Sequence, residues 1–147
     1  MLKGIPPLVS PDLMHVLLSM GHGDEIVIAD GNFPAESVGK RVVRMPGLTV
    51  KDILDVVLQF FPLDTYVDFP VGLMAVVPGD PAKPANWERP EVWDTYREII
   101  LRHEPAFKEF DFIERFAFYE RAREAFAVVS TSDKALYANI ILKKGTV

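Results

Sequence analysis

The stretch Glu25-Ile26-Val27-Ile28-Ala29, followed by Asp30-Gly31-Asn32-Phe33-Pro34, decides how the chain is read. A short apolar run bounded by turn formers predicts a buried strand that ends at a carboxylate and a loop. Upstream, Ser10 is a helix N-cap with Pro11 in the first turn, and Leu13, Val16, Leu17 and Met20 recur at helical spacing up to a stop at Gly21. Downstream, Arg41-Val42-Val43-Arg44-Met45 is a second strand. Thr49 and Asp52 have capping-box spacing ahead of the stripe Val50, Ile53, Leu54, Val57, Leu58 and Phe61. Leu73 to Val77 is a third strand, and Pro78 to Pro90, with four prolines, is a loop. It is not a linker, because too little chain follows to build a separate core. Val92, Trp93, Tyr96, Ile99 and Ile100 mark a helix ending near His103 and Pro105. Another helix is expected over Phe116 to Ala125, then a strand over Phe126 to Ser130 and a last strand near Tyr137 to Lys143. Strands alternating with helices predict one α/β domain over residues 1–147, its sheet covered by helices.

Composition narrows the function. The 147 residues carry 16 Lys and Arg against 21 Asp and Glu, a formal charge of −5, and no cysteine. The acidic balance argues against a nucleic-acid partner, which needs a basic face. Without cysteine there is no disulfide framework and no thiolate chemistry. The apolar runs are far shorter than the roughly 20 residues that cross a bilayer, and the amino-terminal residues lack a signal-peptide pattern. A cytoplasmic protein, with no membrane partner, is the expectation. A mean hydropathy of +0.13 is high for a small monomer, and self-association would cover part of that surface. No phosphate-binding glycine loop, dinucleotide fingerprint, zinc-protease motif or serine-hydrolase elbow is present.

Three polar clusters at the edges of predicted elements remain. In Gly21-His22-Gly23-Asp24, the flanking glycines let backbone approach a ligand while the imidazole projects, and histidine exchanges protons near neutrality. The competing reading is a histidine that bonds a helix C-terminus. Asp30, at a strand end, either faces a ligand crevice or opens an Asx-turn. The strand between His22 and Asp30 spans about 16 Å. One small ligand reaches both only if loops fold back or two subunits share the pocket. His15 is expected on a solvated helix face and His103 at a helix C-terminus. No spacing supports a metal site. In Arg115-Phe116-Ala117-Phe118-Tyr119-Glu120-Arg121, Arg115 either aims its donors at sugar hydroxyls or a carboxylate, or pairs with Glu114 or Asp111. Phe116 and Tyr119 are core aromatics or pocket walls. In Tyr137-Ala138-Asn139, a strand would present the hydroxyl and the amide on one face, suited to a polyol, with Ala138 on the other; the rival is a solvent-exposed edge.

Taken together, Met20-Gly21-His22-Gly23-Asp24-Glu25, Asp30 with Asn32-Phe33-Pro34-Ala35, Arg115-Phe116-Ala117-Phe118-Tyr119-Glu120-Arg121-Ala122 and Tyr137-Ala138-Asn139-Ile140-Ile141-Leu142-Lys143-Lys144-Gly145 resemble the L-fucose mutarotase and D-ribose pyranase family, the fucose branch more than the ribose branch. The resemblance runs from Lys3 to Gly145. It implies a three-layer α/β/α fold with a mixed sheet. It also implies ring-like homo-oligomers, commonly decamers in bacterial members, with pockets between subunits. It assigns the proton donor to His22 and sugar binding to Asp30, Arg115, Tyr137 and Asn139, and leaves Tyr119 between pocket and core. The implied reaction is anomer interconversion of L-fucose without metal or other cofactor. Ribose pyranose–furanose exchange and sugar binding without turnover are the alternatives. Ala138 stands where members often carry glycine, and its methyl is expected to narrow the pocket if backbone touches sugar there. No role is carried over to the Pro78–Pro90 loop.

Overall fold

Along β1 (Glu25–Ala29), Ile26 and Ile28 enter one hydrophobic cluster, whereas Val27 and Ala29 enter another. Successive side chains of a strand point to opposite faces, so the sheet has a core on each side. The computed structural model describes residues 1–147. The larger core packs β1 against α1 (Pro11–Ser19), α3 (Val50–Val57) and α4 (Glu91–His103) through Leu13, Ile53, Leu54, Tyr96 and Ile100. The smaller one packs the other face against α2 (Ala35–Val38) and α5 (Arg115–Glu124) through Ala35, Val38, Phe118 and Ala122. The expected three-layer α/β/α arrangement is therefore present.

The remaining strands are β2 (Val42–Met45), β3 (Val71–Met74), β4 (Asp111–Ile113), β5 (Ala127–Thr131) and β6 (Ile140–Lys143). They lie in the order β2-β5-β1-β6-β3-β4. β1 and β2 run parallel to β5, and β3 runs parallel to β4. β6 alone is antiparallel to its neighbours β1 and β3. The sheet is mixed, as expected, and this one reversed strand has a consequence for chemistry. It brings the residues before β6 to the carboxyl ends of β1 and β3, where crevices form in open α/β sheets. No helix is long and apolar enough to cross a membrane.

Local signals account for most elements. Ser10 accepts the Leu13 N–H at 3.1 Å, and Thr49 and Asp52 form the reciprocal capping box. Four details depart from the sequence reading. α3 ends at Val57, before Phe61, although Leu58 and Phe61 stay in the core. The β3 strand begins at Val71 and closes at Met74 rather than Val77. Two short elements, α2 and β4, had no periodic signal long enough to read. Finally, Tyr137 and Asn139 lie in a turn before β6 rather than on a strand. Tyr137 adopts a left-handed backbone with φ of 57°, which no strand residue can hold.

Candidate active site

The Asp30 carboxylate sits just past the end of β1 and is 8% exposed. One oxygen, Oδ1, accepts the Asn32 N–H at 2.9 Å. The other, Oδ2, accepts an amide hydrogen of Asn139 at 2.9 Å. In return the Asp30 N–H donates to Asn139 Oδ1 at 2.9 Å. This two-way clasp fixes both side chains and leaves each with spare capacity: a lone pair on the carboxylate and one amide hydrogen on Asn139. The Asx-turn reading holds, and the same turn sets the Asp30 carboxyl in the wall of a cavity. Burial pushes the Asp30 carboxyl above its ordinary value of 3.8, opposed by the bonds from Asn32, Phe33 and Asn139.

Around the clasp lies a cavity of about 260 Å³ that also involves Arg115, Tyr119 and Tyr137. Each arrives for a topological reason. β4 ends at the same end of the sheet as β3, and α5 starts two residues later, which sets Arg115 in the cavity lining. Its guanidinium lies 4.8 Å over the Phe116 ring and enters no ion pair. The proposed alternatives are both taken elsewhere. Glu114 caps α5 by accepting the Phe116 and Ala117 N–H groups, and Asp111 pairs with Arg121. Tyr119 is half-buried and stacks on Phe33 at 5.5 Å between ring centroids, so it lines the cavity. Phe116, by contrast, is 65% exposed and is no core aromatic; Phe118 takes that place.

The Tyr137 turn is held from three sides. Its carbonyl accepts the Trp93 indole N–H at 2.9 Å, and its hydroxyl accepts the Val77 N–H at 3.0 Å and donates to Asp80. The next carbonyl, of Ala138, accepts the Tyr96 hydroxyl at 2.8 Å. The Ala138 methyl points into the larger core, fully buried, so it does not narrow the cavity.

His22 is elsewhere. It precedes β1, at the opposite end of the strand from Asp30, and takes no part in the cavity wall. The side chain is 46% exposed, with Nε2 at 3.2 Å from Oδ1 of Asp64, which is only 3% exposed. Asp64 also accepts the Tyr66 N–H at 3.0 Å, and that bond, with His22 itself, keeps its carboxyl below the ordinary 3.8. The ring of Tyr66 lies 5.3 Å from the imidazole. Within one chain, then, the loops do not fold back to bring His22 and Asp30 together. His15 is exposed as expected, and His103 ends α4 with Nε2 at 2.8 Å from Asp55. The sequence reading missed Asp64, Asp80, Met74 and Val77. Of these only Asp80 had a legible cue, the Pro78-Gly79 turn pair before it.

Comparison with known proteins matches the model of the RbsD / FucU transport protein family over residues 3–147. The chain belongs to the RbsD / FucU family. Within that family it is 50% identical to the human protein named fucose mutarotase, over 98% of this chain and 93% of that one. A crystal structure of the fucose mutarotase of Streptococcus pneumoniae in complex with L-fucose superposes with a TM-score of 0.91 at 45% identity, covering 99% of both chains. FucU of Bifidobacterium longum superposes with a TM-score of 0.90 at 49% identity, again over 99% of each. The four matching segments thus sit in a family fold that is shared end to end.

Proposed function

We propose that the chain interconverts the α and β anomers of L-fucose by opening and reclosing the hemiacetal ring. The observation that carries this is the Asp30–Asn139 clasp beside an unpaired Arg115, in a chain about half identical to proteins named fucose mutarotase. The cavity lining divides between polar groups and apolar ones, Phe33, Met74 and Val77 among them. A 6-deoxyhexose matches that split, with hydroxyls for the polar groups and a methyl for the apolar wall.

In the reaction one proton reaches the ring oxygen while another leaves the anomeric hydroxyl. The C–O ring bond opens, the aldehyde rotates, and closure on its other face gives the second anomer. No C–H bond breaks and no electron moves, so the chemistry requires neither nicotinamide nor metal. Mutarotation already runs in water, and general acid–base catalysis adds typically about 10²–10⁴-fold. His22 serves as proton donor. Asp30, Arg115, Tyr137, Asn139 and Tyr119 hold the sugar, with Asp30 sharing the base work.

His22 and the cavity occupy opposite ends of β1, so the complete site draws on two copies of the chain. Beside His22, Tyr66 is 79% exposed, Val67 37% and Phe69 48%, an apolar surface that a second protomer would cover. A ring-like homo-oligomer, a decamer by resemblance, working in the cytoplasm, is consistent with this.

Saturation-transfer NMR on a small sugar panel is the test. Anomer exchange of L-fucose well above the buffer rate is expected. Faster ribose pyranose–furanose exchange would move the assignment to that reaction, and binding with exchange no faster than buffer would leave a sugar-binding protein.

The raised Asp30 carboxyl adds a pH prediction. Its sugar-accepting form is the carboxylate, which is lost as pH falls through a value above 3.8. L-Fucose affinity should therefore decline on the acid side at a higher pH than an ordinary aspartate dictates, and Asp30→Asn should lack that limb. A limb that persists in Asp30→Asn belongs to another group.

A further inference from the structure

The loop from Pro78 to Pro90 leaves β3 and turns straight back to the cavity. Pro78 and Gly79 occupy the middle of the turn, Gly79 has φ of 74°, and the Asp80 N–H donates to the Val77 carbonyl at 3.2 Å. That is the pattern of a type II turn, which favours proline followed by glycine. Asp80 is then fixed at both oxygens. Oδ1 accepts the Ala82 N–H at 2.9 Å, and Oδ2 accepts the Tyr137 hydroxyl proton. The Trp87 ring, from the same loop, lies 6.3 Å from that of Tyr137. Asp80 and Arg115 both line the cavity.

We propose that Asp80 is the residue that positions Tyr137 for the sugar. Its carboxylate takes the only proton the phenol can donate and the Val77 N–H occupies one lone pair, so Tyr137 meets a ligand as an acceptor through its remaining lone pair, opposite a sugar O–H. Without Asp80 the hydroxyl keeps the Val77 N–H but its proton is free to turn toward the ligand, and that selectivity is lost. The same bond ties the loop to the turn that carries Asn139, so the donor and acceptor pattern of the cavity is set before sugar arrives. The Tyr137 hydroxyl first, then the Ala82 N–H and more weakly the nearby Arg115 charge, also hold the Asp80 carboxyl below 3.8, which keeps it an acceptor throughout the neutral range.

This inference rests on the sugar-site reading, and the experiment separates the two. L-Fucose Kd is measured by titration calorimetry, and anomer exchange by saturation transfer, for wild type, Asp80→Ala, Tyr137→Phe and the double variant. Asp80→Ala should weaken binding about tenfold, the effect of one charge-assisted bond, with exchange at saturating sugar little changed. Tyr137→Phe should weaken binding at least as much, and the double variant should bind no worse than Tyr137→Phe alone. Asp80→Asn retains an oxygen for the phenol and should recover most of the affinity. If Asp80→Ala does not fold, Asp80→Ser enters the cycle in its place. Wild-type-like Kd in Asp80→Ala, losses that multiply in the double variant, or no rescue by Asp80→Asn would each overturn the role of Asp80. No binding of L-fucose by wild type would overturn the sugar-site reading and this inference together. Binding without exchange would sink only the mutarotase reading.

Discussion

His22→Ala is expected to lower L-fucose anomer exchange by about 10²–10⁴-fold, the range that one positioned acid or base contributes, while the protein stays folded. The side chain is 46% exposed, so its removal leaves no core cavity. It does leave the nearly buried Asp64 carboxylate one partner short, a loss of about 1–3 kcal/mol that is below the roughly 5–15 kcal/mol of a typical domain. The Asp64 carboxylate keeps the Tyr66 N–H at 3.0 Å after the imidazole is gone. In wild type, Asp64 has a positioning role. It anchors Nε2, which fixes the ring plane and leaves Nδ1 free for a second partner. Exchange at the wild-type rate in His22→Ala would remove His22 from the mechanism. Mixing supplies a sharper result. If one protomer supplies His22 and its neighbour supplies Asp30, then His22→Ala and Asp30→Asn subunits, each inactive alone, should regain part of the activity when refolded together. Failure to complement, with mixed oligomers verified by native mass spectrometry, would overturn the site shared between protomers.

The largest stability effect is expected at Tyr96. Its ring is fully buried in the larger core, between α4 and the turn before β6, and its hydroxyl donates to the Ala138 carbonyl at 2.8 Å. Tyr96→Ala should destabilise the fold by about 3–5 kcal/mol, the usual cost of emptying an aromatic core site. That is a large share of the roughly 5–15 kcal/mol typical of a native domain. Tyr96→Phe keeps the packing but orphans a buried carbonyl, for about 1–3 kcal/mol. The phenylalanine variant should also weaken sugar binding, because Tyr96 and Trp93 together pin the turn that carries Tyr137 and Asn139. Urea unfolding gives the first quantity and titration the second. A Tyr96→Phe protein as stable as wild type would show that the carbonyl finds another donor.

Sequence periodicity made the regular elements legible because each has its own local cause. Ser10 and the Thr49–Asp52 box open helices through side-chain bonds three residues away. The apolar run Ile26 to Ala29 needs burial on both faces, and it has a core on each side. Elements of three or four residues, such as β4 and α2, carry too little period to read. The site followed the same division. Asp30 at a strand end and Arg115 at a helix start were readable as polar groups at element edges. Tyr137 and Asn139 were found for a reason that failed: they face the cavity from a left-handed turn, not from alternate positions of a strand.

By itself the chain determined its helices, most of its strands and the residue types for sugar chemistry, because caps, turns and hydrophobic period act over a few residues. Only the tertiary structure decided which of those residues meet. The antiparallel placement of β6 sets Asn139 against Asp30, 109 positions away in sequence, and a return turn sets Asp80 on Tyr137. The same sheet sends His22 to the far end of β1, against buried Asp64. These pairings depend on strand order and direction, which follow from how two cores fill simultaneously, and no local pattern of residues encodes that.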